Sequence, residues 1–237
     1  FLVGGVTLMV QTRTQRPQAA PQASQLAALE QSAARIAVGT LPVIVLGETG
    51  VGKERFAERL HEMSPRRAGP FVRINCAAIS EPLLEAEIFG TGERPGALEQ
   101  AEAGTAFLID VGELTPTLQL KLVRVLEDGA VRRLGSGTPH KIDVRFVASS
   151  TKDLQAEVEA GRFRRDLYFR LAGATFAIPA LRQRKDEVLP LAEQFVQSAA
   201  GPLGRTFILA DDAKLWLAQH EWPGNIRELR NACERAV

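Results

Sequence analysis

One glycine-rich stretch carries the most recognisable chemistry in this sequence. It reads Gly47, Glu48, Thr49, Gly50, Val51, Gly52, Lys53 and Glu54. Three glycines allow the backbone to curl so that its N–H groups point inward at a polyphosphate, and Lys53 adds a mobile positive charge near the β- and γ-phosphates. The stretch therefore predicts a phosphate-binding loop, or P-loop. The competing interpretation is a glycine-rich turn without a ligand.

The elements on either side of this loop favour the P-loop interpretation. Residues 41–46 form an apolar run that is typical of a buried strand, and a helical pattern begins at Lys53. A strand, a loop and a helix N-terminus are the context that the motif needs, and the helix dipole favours a bound anion. Glu54 departs from the usual motif, because a Ser or Thr hydroxyl normally binds magnesium at that position. We therefore expect metal binding to be weak or differently arranged.

Composition sets limits on the kind of protein. A chain of 237 residues with 45% hydrophobic residues can bury a real core, as one large domain or as a domain plus a smaller one. The net charge of +1 gives no overall case for binding nucleic acid, and we expect the arginine clusters to be solvated faces. Cys76 and Cys233 are far apart and have no partner at metal-ligand spacing, which predicts no disulfide or zinc site and fits a reducing cytoplasm. No apolar run approaches the roughly 20 residues of a membrane span.

Strand and helix patterns alternate through most of the chain. Short apolar runs typical of buried strands lie at residues 42–46, 70–74, 105–109, 144–148 and 174–178. With helical patterns between them, they predict an α/β fold with a mostly parallel sheet flanked by helices. Beyond Pro179 only helical patterns follow, which predicts a small helical lid subdomain.

The domain boundaries follow from these patterns. We expect residues 1–23 to be the tail of a preceding domain plus a linker, residues 24–180 to form the α/β nucleotide-binding subdomain, and residues 181–237 to form the lid. One or two short strands are predicted around Gly4 and Gly5, followed by a linker rich in Gln, Pro and Ala. The absence of an initiating Met and the helical pattern still running at Val237 indicate part of a longer protein.

A P-loop domain followed by a helical bundle is the layout of AAA+ proteins, and further blocks narrow the resemblance. These blocks are NCAAI at 75–79, LLE at 83–85, IFG at 88–90, LKLVRVLE at 120–127, RRLG at 132–135, FRRDLYFRL at 163–171 and WPGNIREL at 222–229. In this order they resemble the central AAA+ domain of bacterial sigma-54-dependent transcriptional activators, the enhancer-binding proteins. The resemblance covers about residues 25–237.

The resemblance implies ATP or ADP bound between neighbouring subunits of a ring, and self-association of this chain. Arg164 and Arg170 match the arginine fingers that reach into the next subunit's site, where a guanidinium stabilises charge on the transferring phosphoryl group. Arg227 matches the lid arginine that senses the γ-phosphate. The competing interpretations are two surface arginines, and an Arg227 that is paired with Glu228 or Glu221.

The sequence departs from the family in the acidic motif that supports ATP hydrolysis. The family reads GGTLFLDEIGE, and residues 103–113 here read AGTAFLIDVGE. Aligned without gaps, Ile109 replaces the magnesium-orienting Asp, and Asp110 replaces the Glu that activates water. An apolar side chain cannot orient a metal-bound water, and a misplacement of about 1 Å can cost a hundredfold in rate. Asp110 could act as the metal ligand only if the strand slipped by one residue, which would require a bulge.

Two more departures from the family affect the sensing of the γ-phosphate and the contact with sigma-54. Thr151 stands where the family has an Asn that senses the γ-phosphate, so a hydroxyl replaces the amide. Between Gly90 and Gly104 the family inserts a GAFTGA loop that grips sigma-54, and here the interval is about ten residues shorter, with no Phe-Thr tip. We expect residues 94–96 to form an ordinary turn and the usual sigma-54 contact to be missing.

Three functions stay open on these grounds. The first is an ATP-hydrolysing ring that remodels RNA polymerase holoenzyme. The second, which we favour, is an ATP-binding regulatory domain that hydrolyses little or nothing and uses nucleotide as a conformational or oligomerisation switch, with DNA bound by a domain outside this chain. The third is a scaffold without a ligand, against which the retained Lys53 argues.

Overall fold

The structure is a computed structural model that describes residues 2–3, 6–7, 25–92, 94–201 and 208–237. Its strands are β1 (Leu2–Val3), β2 (Val6–Thr7), β3 (Val43–Leu46), β4 (Phe71–Asn75), β5 (Gly90–Thr91), β6 (Arg94–Pro95), β7 (Thr105–Ile109), β8 (Ala130–Arg132), β9 (Pro139–Lys141), β10 (Arg145–Ser150) and β11 (Ala174–Ala177). Its α-helices are α1 (Gln25–Ala37), α2 (Lys53–Glu62), α3 (Glu81–Phe89), α4 (Ala97–Gln100), α5 (Pro116–Asp128), α6 (Leu154–Glu159), α7 (Arg165–Leu171), α8 (Val188–Ala200), α9 (Asp211–Gln219) and α10 (Asn225–Ala236).

Five parallel strands form the central sheet in the order β11-β3-β10-β7-β4. Parallel neighbours need crossover connections, and the helices between these strands supply them. The carboxyl ends of β3, β7 and β10 therefore meet at one edge of the sheet. In open α/β sheets this edge is where ligands bind.

The sheet is buried on both faces, as its apolar runs predict. Successive residues alternate between the two cores: Ile44 packs on one side, and Val43 and Val45 pack on the other. Phe107 contributes to the core that contains residues of α1 and α2, and its neighbours Ala106 and Leu108 contribute to the core that contains residues of α3 and α5. The period of two thus fixes which helices cover each face.

The lid formed by α8, α9 and α10 has a core of its own. Leu181, Val188 and Leu229 are buried in it, together with Trp222, which is only 1% exposed. The indole Nε1 of Trp222 donates to the carbonyl of Leu217 at 2.9 Å, so the polar atom of this large side chain is satisfied.

The predicted α/β architecture with a helical lid is confirmed. Two short strands are present around Gly4 and Gly5, as predicted, and they pair antiparallel; β8 and β9 also pair antiparallel. The predicted linker over residues 11–22 lies outside the described residues. None of the helices in the described part of the chain is both long and apolar enough to cross a membrane.

The prediction of a turn at residues 94–96 is wrong by a few residues. Arg94 and Pro95 form β6, which pairs antiparallel with β5, and Gly96 precedes α4. The reversal instead includes Gly92, whose φ of 51° is in the left-handed region that glycine adopts without strain. The amide of Gly92 donates to the carbonyl of Leu134, and the amide of Leu134 donates to the carbonyl of Gly90, so the start of this interval is bonded to the segment after β8.

Candidate functional site

A cleft of about 650 Å³ separates the α/β body from the lid. Its walls come from the P-loop and α2, from the ends of β7 and β10, and from α8 and α10. The structure brings eight of the predicted site residues together around this cleft: Thr49, Gly50, Gly52, Lys53, Glu54, Asp110, Thr151 and Arg227. Residues far apart in sequence thus converge where parallel strands end.

The loop before α2 has the backbone shape that a phosphate cradle needs. Gly50 has a φ of 80°, and a Cβ on it would lie 2.4 Å from the carbonyl oxygen of Gly224. Gly52, with a φ of 103°, precedes α2 and offers no side chain to cap it. The first N–H groups of α2 therefore stay available for an anion, and the helix dipole points its positive end at them.

Lys53 bends back over this loop. Its Nζ donates to the carbonyls of Gly47 at 2.8 Å and Glu48 at 3.1 Å. Burial lowers the pKa of the Lys53 ammonium, the charge of Asp110 acts in the opposite direction, and the charge of Arg227 lowers the pKa further. Lys53, Asp110 and Arg227 therefore interact electrostatically across one cleft.

The Glu48 side chain faces the lid and does not line the cleft. The sequence motif predicted instead that Glu48 would bind the ligand. Arg182 grips its carboxylate with two nitrogens, at 2.9 Å and 2.5 Å, and the Asn225 amide donates to it at 3.1 Å. The Arg182 hydrogen bonds, followed by that of Asn225, lower the pKa of Glu48 to about 2. A paired guanidinium and carboxylate in this fork geometry hold the P-loop and the lid in a fixed relation.

Further bonds join the lid to the same loop. The Nδ2 of Asn225 donates to the carbonyl of Thr49 at 3.0 Å, and its Oδ1 accepts from the amide of Leu181 at 2.8 Å. The amide of Ile226 donates to the carbonyl of Gly50 at 3.0 Å. Val51 is buried, and its carbonyl accepts from the guanidinium of Arg184 at 2.7 Å. We call the contacts of Glu48, Arg182, Arg184 and Asn225 the lid latch.

The lid latch predicts a pH dependence of stability. Because folding lowers the pKa of Glu48, its contribution is complete above about pH 4.5 and is lost as the pH falls toward 2. We expect Glu48→Gln to lower the urea midpoint at pH 6 and to lose less further stability than the unchanged chain between pH 5 and pH 3. Circular dichroism at a series of pH values measures both midpoints.

Glu113→Gln is the matched control, since Glu113 forms an ion pair with Lys152 and both residues belong to the α/β body. An acid profile of Glu48→Gln that coincides with that of the unchanged chain would show that the latch does not depend on the Glu48 charge.

The acidic position after β7 is incomplete as a metal site. Ile109 packs against the core beside Phe107, so no carboxylate comes from that position. Asp110 has a φ of 52°, and its amide donates to the Ser149 hydroxyl at 3.2 Å. Its Oδ1 is buried and finds no hydrogen-bond partner among the described residues. A buried carboxylate oxygen without a partner is costly in ordinary structure and suits a site that receives a ligand or water.

The finger candidates lie away from this cleft. Arg164 precedes α7 and binds the Asp166 carboxylate with two nitrogens, at 3.0 Å and 2.7 Å. Arg170 pairs with Glu127 at 2.5 Å. Between them Phe169 is 68% exposed. Neither arginine is among the residues that line this cleft.

Arg227, predicted to sense the γ-phosphate, lies on the lid side of the cleft. It lines the cleft, and among the described residues it forms no ion pair. The competing partners are engaged elsewhere, since Glu228 accepts from the amide of Gly224 and Glu221 pairs with Lys185. The guanidinium of Arg227 is therefore available to a ligand.

A five-stranded parallel sheet, a P-loop after β3 and a helical lid that closes over the loop define an AAA+ P-loop domain. Residues 20–177 match the family described as the Sigma-54 interaction domain, and residues 182–237 match the AAA+ ATPase lid domain. The chain belongs to the sigma-54 interaction domain family, as its sequence blocks predict.

Relatives of this chain are bacterial regulators. It is 47% identical over 83% of its length to the nitric oxide reductase transcription regulator NorR2 of Cupriavidus necator, covering 40% of that protein. It is 45% identical over 86% of its length to the Nif-specific regulatory protein of Azotobacter vinelandii, covering 41%. A crystal structure of NtrX from Brucella abortus in complex with ATP superposes with a TM-score of 0.86 at 36% identity, covering 90% of this chain and 49% of NtrX. The chain thus spans about two fifths of the length of these curated relatives.

Proposed function

We propose that this domain binds ATP and ADP in the cleft, hydrolyses ATP slowly or not at all, and uses the bound nucleotide to set the position of the lid within a bacterial transcriptional regulator. The observation that carries the proposal is the lid latch. The loop that would hold phosphate bonds directly to the lid through Glu48, Thr49, Gly50 and Val51. A ligand on one side of this loop therefore changes the contacts on its other side.

The P-loop residues that suit phosphate and the altered acidic position after β7 support nucleotide binding with impaired hydrolysis. Lys53, the glycines and the bare start of α2 suit a polyphosphate, and NtrX from Brucella abortus has been crystallised in complex with ATP and with ADP. Ile109 cannot orient a metal-bound water, and Asp110 is one methylene shorter than Glu. As a ligand with different affinities for two arrangements of the lid, ATP shifts their populations by that difference.

We further propose partners for the domain. Self-association places Arg164 and Arg170 against a neighbour's cleft, DNA is bound by a domain outside this chain, and RNA polymerase is the eventual target. β5 pairs with β6 over only two residues each and bonds to Leu134, so we propose that the usual sigma-54 contact is lost despite the family membership. We keep the division at residues 23 and 180 and the cytoplasmic location as parts of the same proposal.

One observation favours an active ring ATPase as the alternative. The Oδ1 of Asp110, which has no hydrogen-bond partner in the part of the chain that the structure describes, lies at the cleft, where a carboxylate acts as a base toward water in P-loop enzymes. Exposed arginines on α7 suit completion of the site by a neighbour. Turnover that rises steeply with protein concentration would favour this alternative, because assembly would then complete the site.

Nucleotide binding is tested by titration calorimetry. We expect heat on adding ATP to the unchanged chain, and a loss of at least about a hundredfold in affinity in Lys53→Ala, because the half-buried ammonium proposed to contact phosphate is removed. Lys141→Ala is the control, since Lys141 is exposed on β9 and lies outside the cleft. Absence of heat at millimolar ATP in the unchanged chain would leave only the scaffold function.

A further inference from the structure

We propose that the nucleotide binds in this cleft without a divalent metal ion, and that Arg227 and Arg230 supply the positive charge that a metal would otherwise bring. This inference rests on the proposed nucleotide binding and deepens it. The residues at the cleft do not match the oxygen donors that magnesium takes, and the role of Arg230 is one that no sequence motif indicates.

The oxygen donors around the cleft do not fit a metal ion. Glu54, at the position of the usual hydroxyl, is bound by the Arg73 guanidinium at 2.7 Å. Glu58, also at the cleft, is bound by both Arg73 and Arg55. Ile109 offers only hydrocarbon. Nowhere in the described ranges do three or more His, Cys, Asp or Glu side chains gather in a way that could hold a metal.

Asp110 is then the one carboxylate at the cleft that is not paired with an arginine among the described residues. Magnesium prefers near-ideal octahedral oxygen coordination, and it is normally fixed at P-loop sites by a carboxylate as well as by phosphates. A single carboxylate on a backbone with a φ of 52° gives it a poor attachment.

Positively charged side chains at the cleft, in contrast, outnumber the unpaired carboxylates. Lys53, Arg227 and Arg230 all line the cleft. Arg230 follows Arg227 by three residues on α10, so the two side chains share one face of the helix. Within the described part of the chain, neither arginine forms an ion pair with a carboxylate. Both guanidinium groups are therefore available to phosphate oxygens.

The ring of Phe195 on α8 stacks against the guanidinium of Arg230. The guanidinium carbon lies 5.0 Å from the centroid of the Phe195 ring, within the range of a cation–π contact. Stacking of this kind orients a guanidinium while leaving its edge N–H groups free to donate. Arg230 is thus positioned by the lid as a second cation beside Arg227.

The charge balance favours a metal-free ligand. A triphosphate without a divalent ion is two charges more negative than its magnesium complex. Three cations facing a single unpaired carboxylate complement the more negative form, and charge-assisted bonds from arginine to phosphate are strong. Magnesium brings no compensating gain, because the protein offers it few donors.

The experiment measures the affinity of the full 237-residue chain for a fluorescent ATP analogue in excess magnesium and in EDTA. We expect the two dissociation constants to agree within about threefold, or the metal-free form to bind more tightly. Arg230→Gln should weaken binding in EDTA about tenfold, and less in magnesium, where the ligand is less negative. Arg235→Gln on the same helix is the matched control, since it lies outside the cleft and should leave both values unchanged.

Ile109→Asp provides the reverse test, because it returns a carboxylate to the metal position and should make binding tighter in magnesium than in EDTA. Binding by the unchanged chain only in magnesium would overturn the metal-free inference and leave nucleotide binding intact. Equal effects of Arg230→Gln and Arg235→Gln would remove Arg230 from the site. Absence of binding under both conditions would overturn the proposed function itself.

Discussion

Phosphate release from ATP should rise by about a hundredfold or more in the double variant Ile109→Asp with Asp110→Glu, relative to the unchanged chain. The first substitution returns a carboxylate that can orient a metal-bound water. The second returns the missing methylene, so the base reaches the attacking water. Both positions follow β7, whose end already lies at the cleft beside the P-loop.

The measurement is the release of inorganic phosphate with magnesium present, across a wide range of protein concentration. The single variants separate the two roles, and each should recover only part of the gain because the residues act as a unit. Ile109→Val is the control, since it alters volume without adding a carboxylate. Brisk release by the unchanged chain would contradict the proposed impairment and favour the ring ATPase.

Asn225→Ala should lower the free energy of unfolding by about 3 kcal/mol. The amide is 0% exposed and joins Leu181, Thr49 and Glu48 in one network. Its removal leaves the N–H of Leu181 buried without a partner. Alanine must also adopt a φ of 53°, which asparagine tolerates better. Urea denaturation followed by circular dichroism measures the change.

Asn225→Gly separates the two causes, because glycine accepts the left-handed backbone and lacks the amide. We expect it to recover about 1 kcal/mol relative to Asn225→Ala. Both variants should also weaken the response of the lid to nucleotide. A loss below about 0.5 kcal/mol in Asn225→Ala would place the network among ordinary surface contacts and refute its role as a latch.

Local sequence patterns were sufficient to predict the α/β architecture. Each core strand contains a short apolar run, and β3 and β10 are buried along most of their length. Two helix caps also depend on local chemistry: Thr115 accepts from the amide of Leu118, and Asp153 accepts from the amides of Gln155 and Ala156. These signals act within a few residues, so a single sequence contains them whole.

The lid latch could not be predicted in the same way. Glu48 is separated by 134 residues from Arg182 and by 177 from Asn225, and no spacing rule relates positions so far apart. The P-loop motif itself assigned Glu48 to the ligand side. In the structure its carboxylate faces the lid, because the loop turns at glycines whose conformation only the full fold determines.

Arg230 was missed for a related reason. Its spacing from Arg227 indicates a shared helix face, but nothing in the sequence says that this face closes on the P-loop. The contact of α10 with Gly50, through the amide of Ile226, makes that face part of the cleft. Arg227 and Arg230 therefore line the cleft because the folded chain places α10 against the P-loop.

The aromatic arrangement of the lid gives the domain a natural optical reporter. The sequence has two tryptophans, Trp216 and Trp222, and both belong to the lid. Their rings meet edge to face at 5.8 Å, with His220 against both. One indole is 55% exposed and the other 1%, so they sample solvent and interior within a single small unit. Indole emission from this chain consequently originates in the lid alone, and a spectral change on adding nucleotide would follow its movement without any attached label.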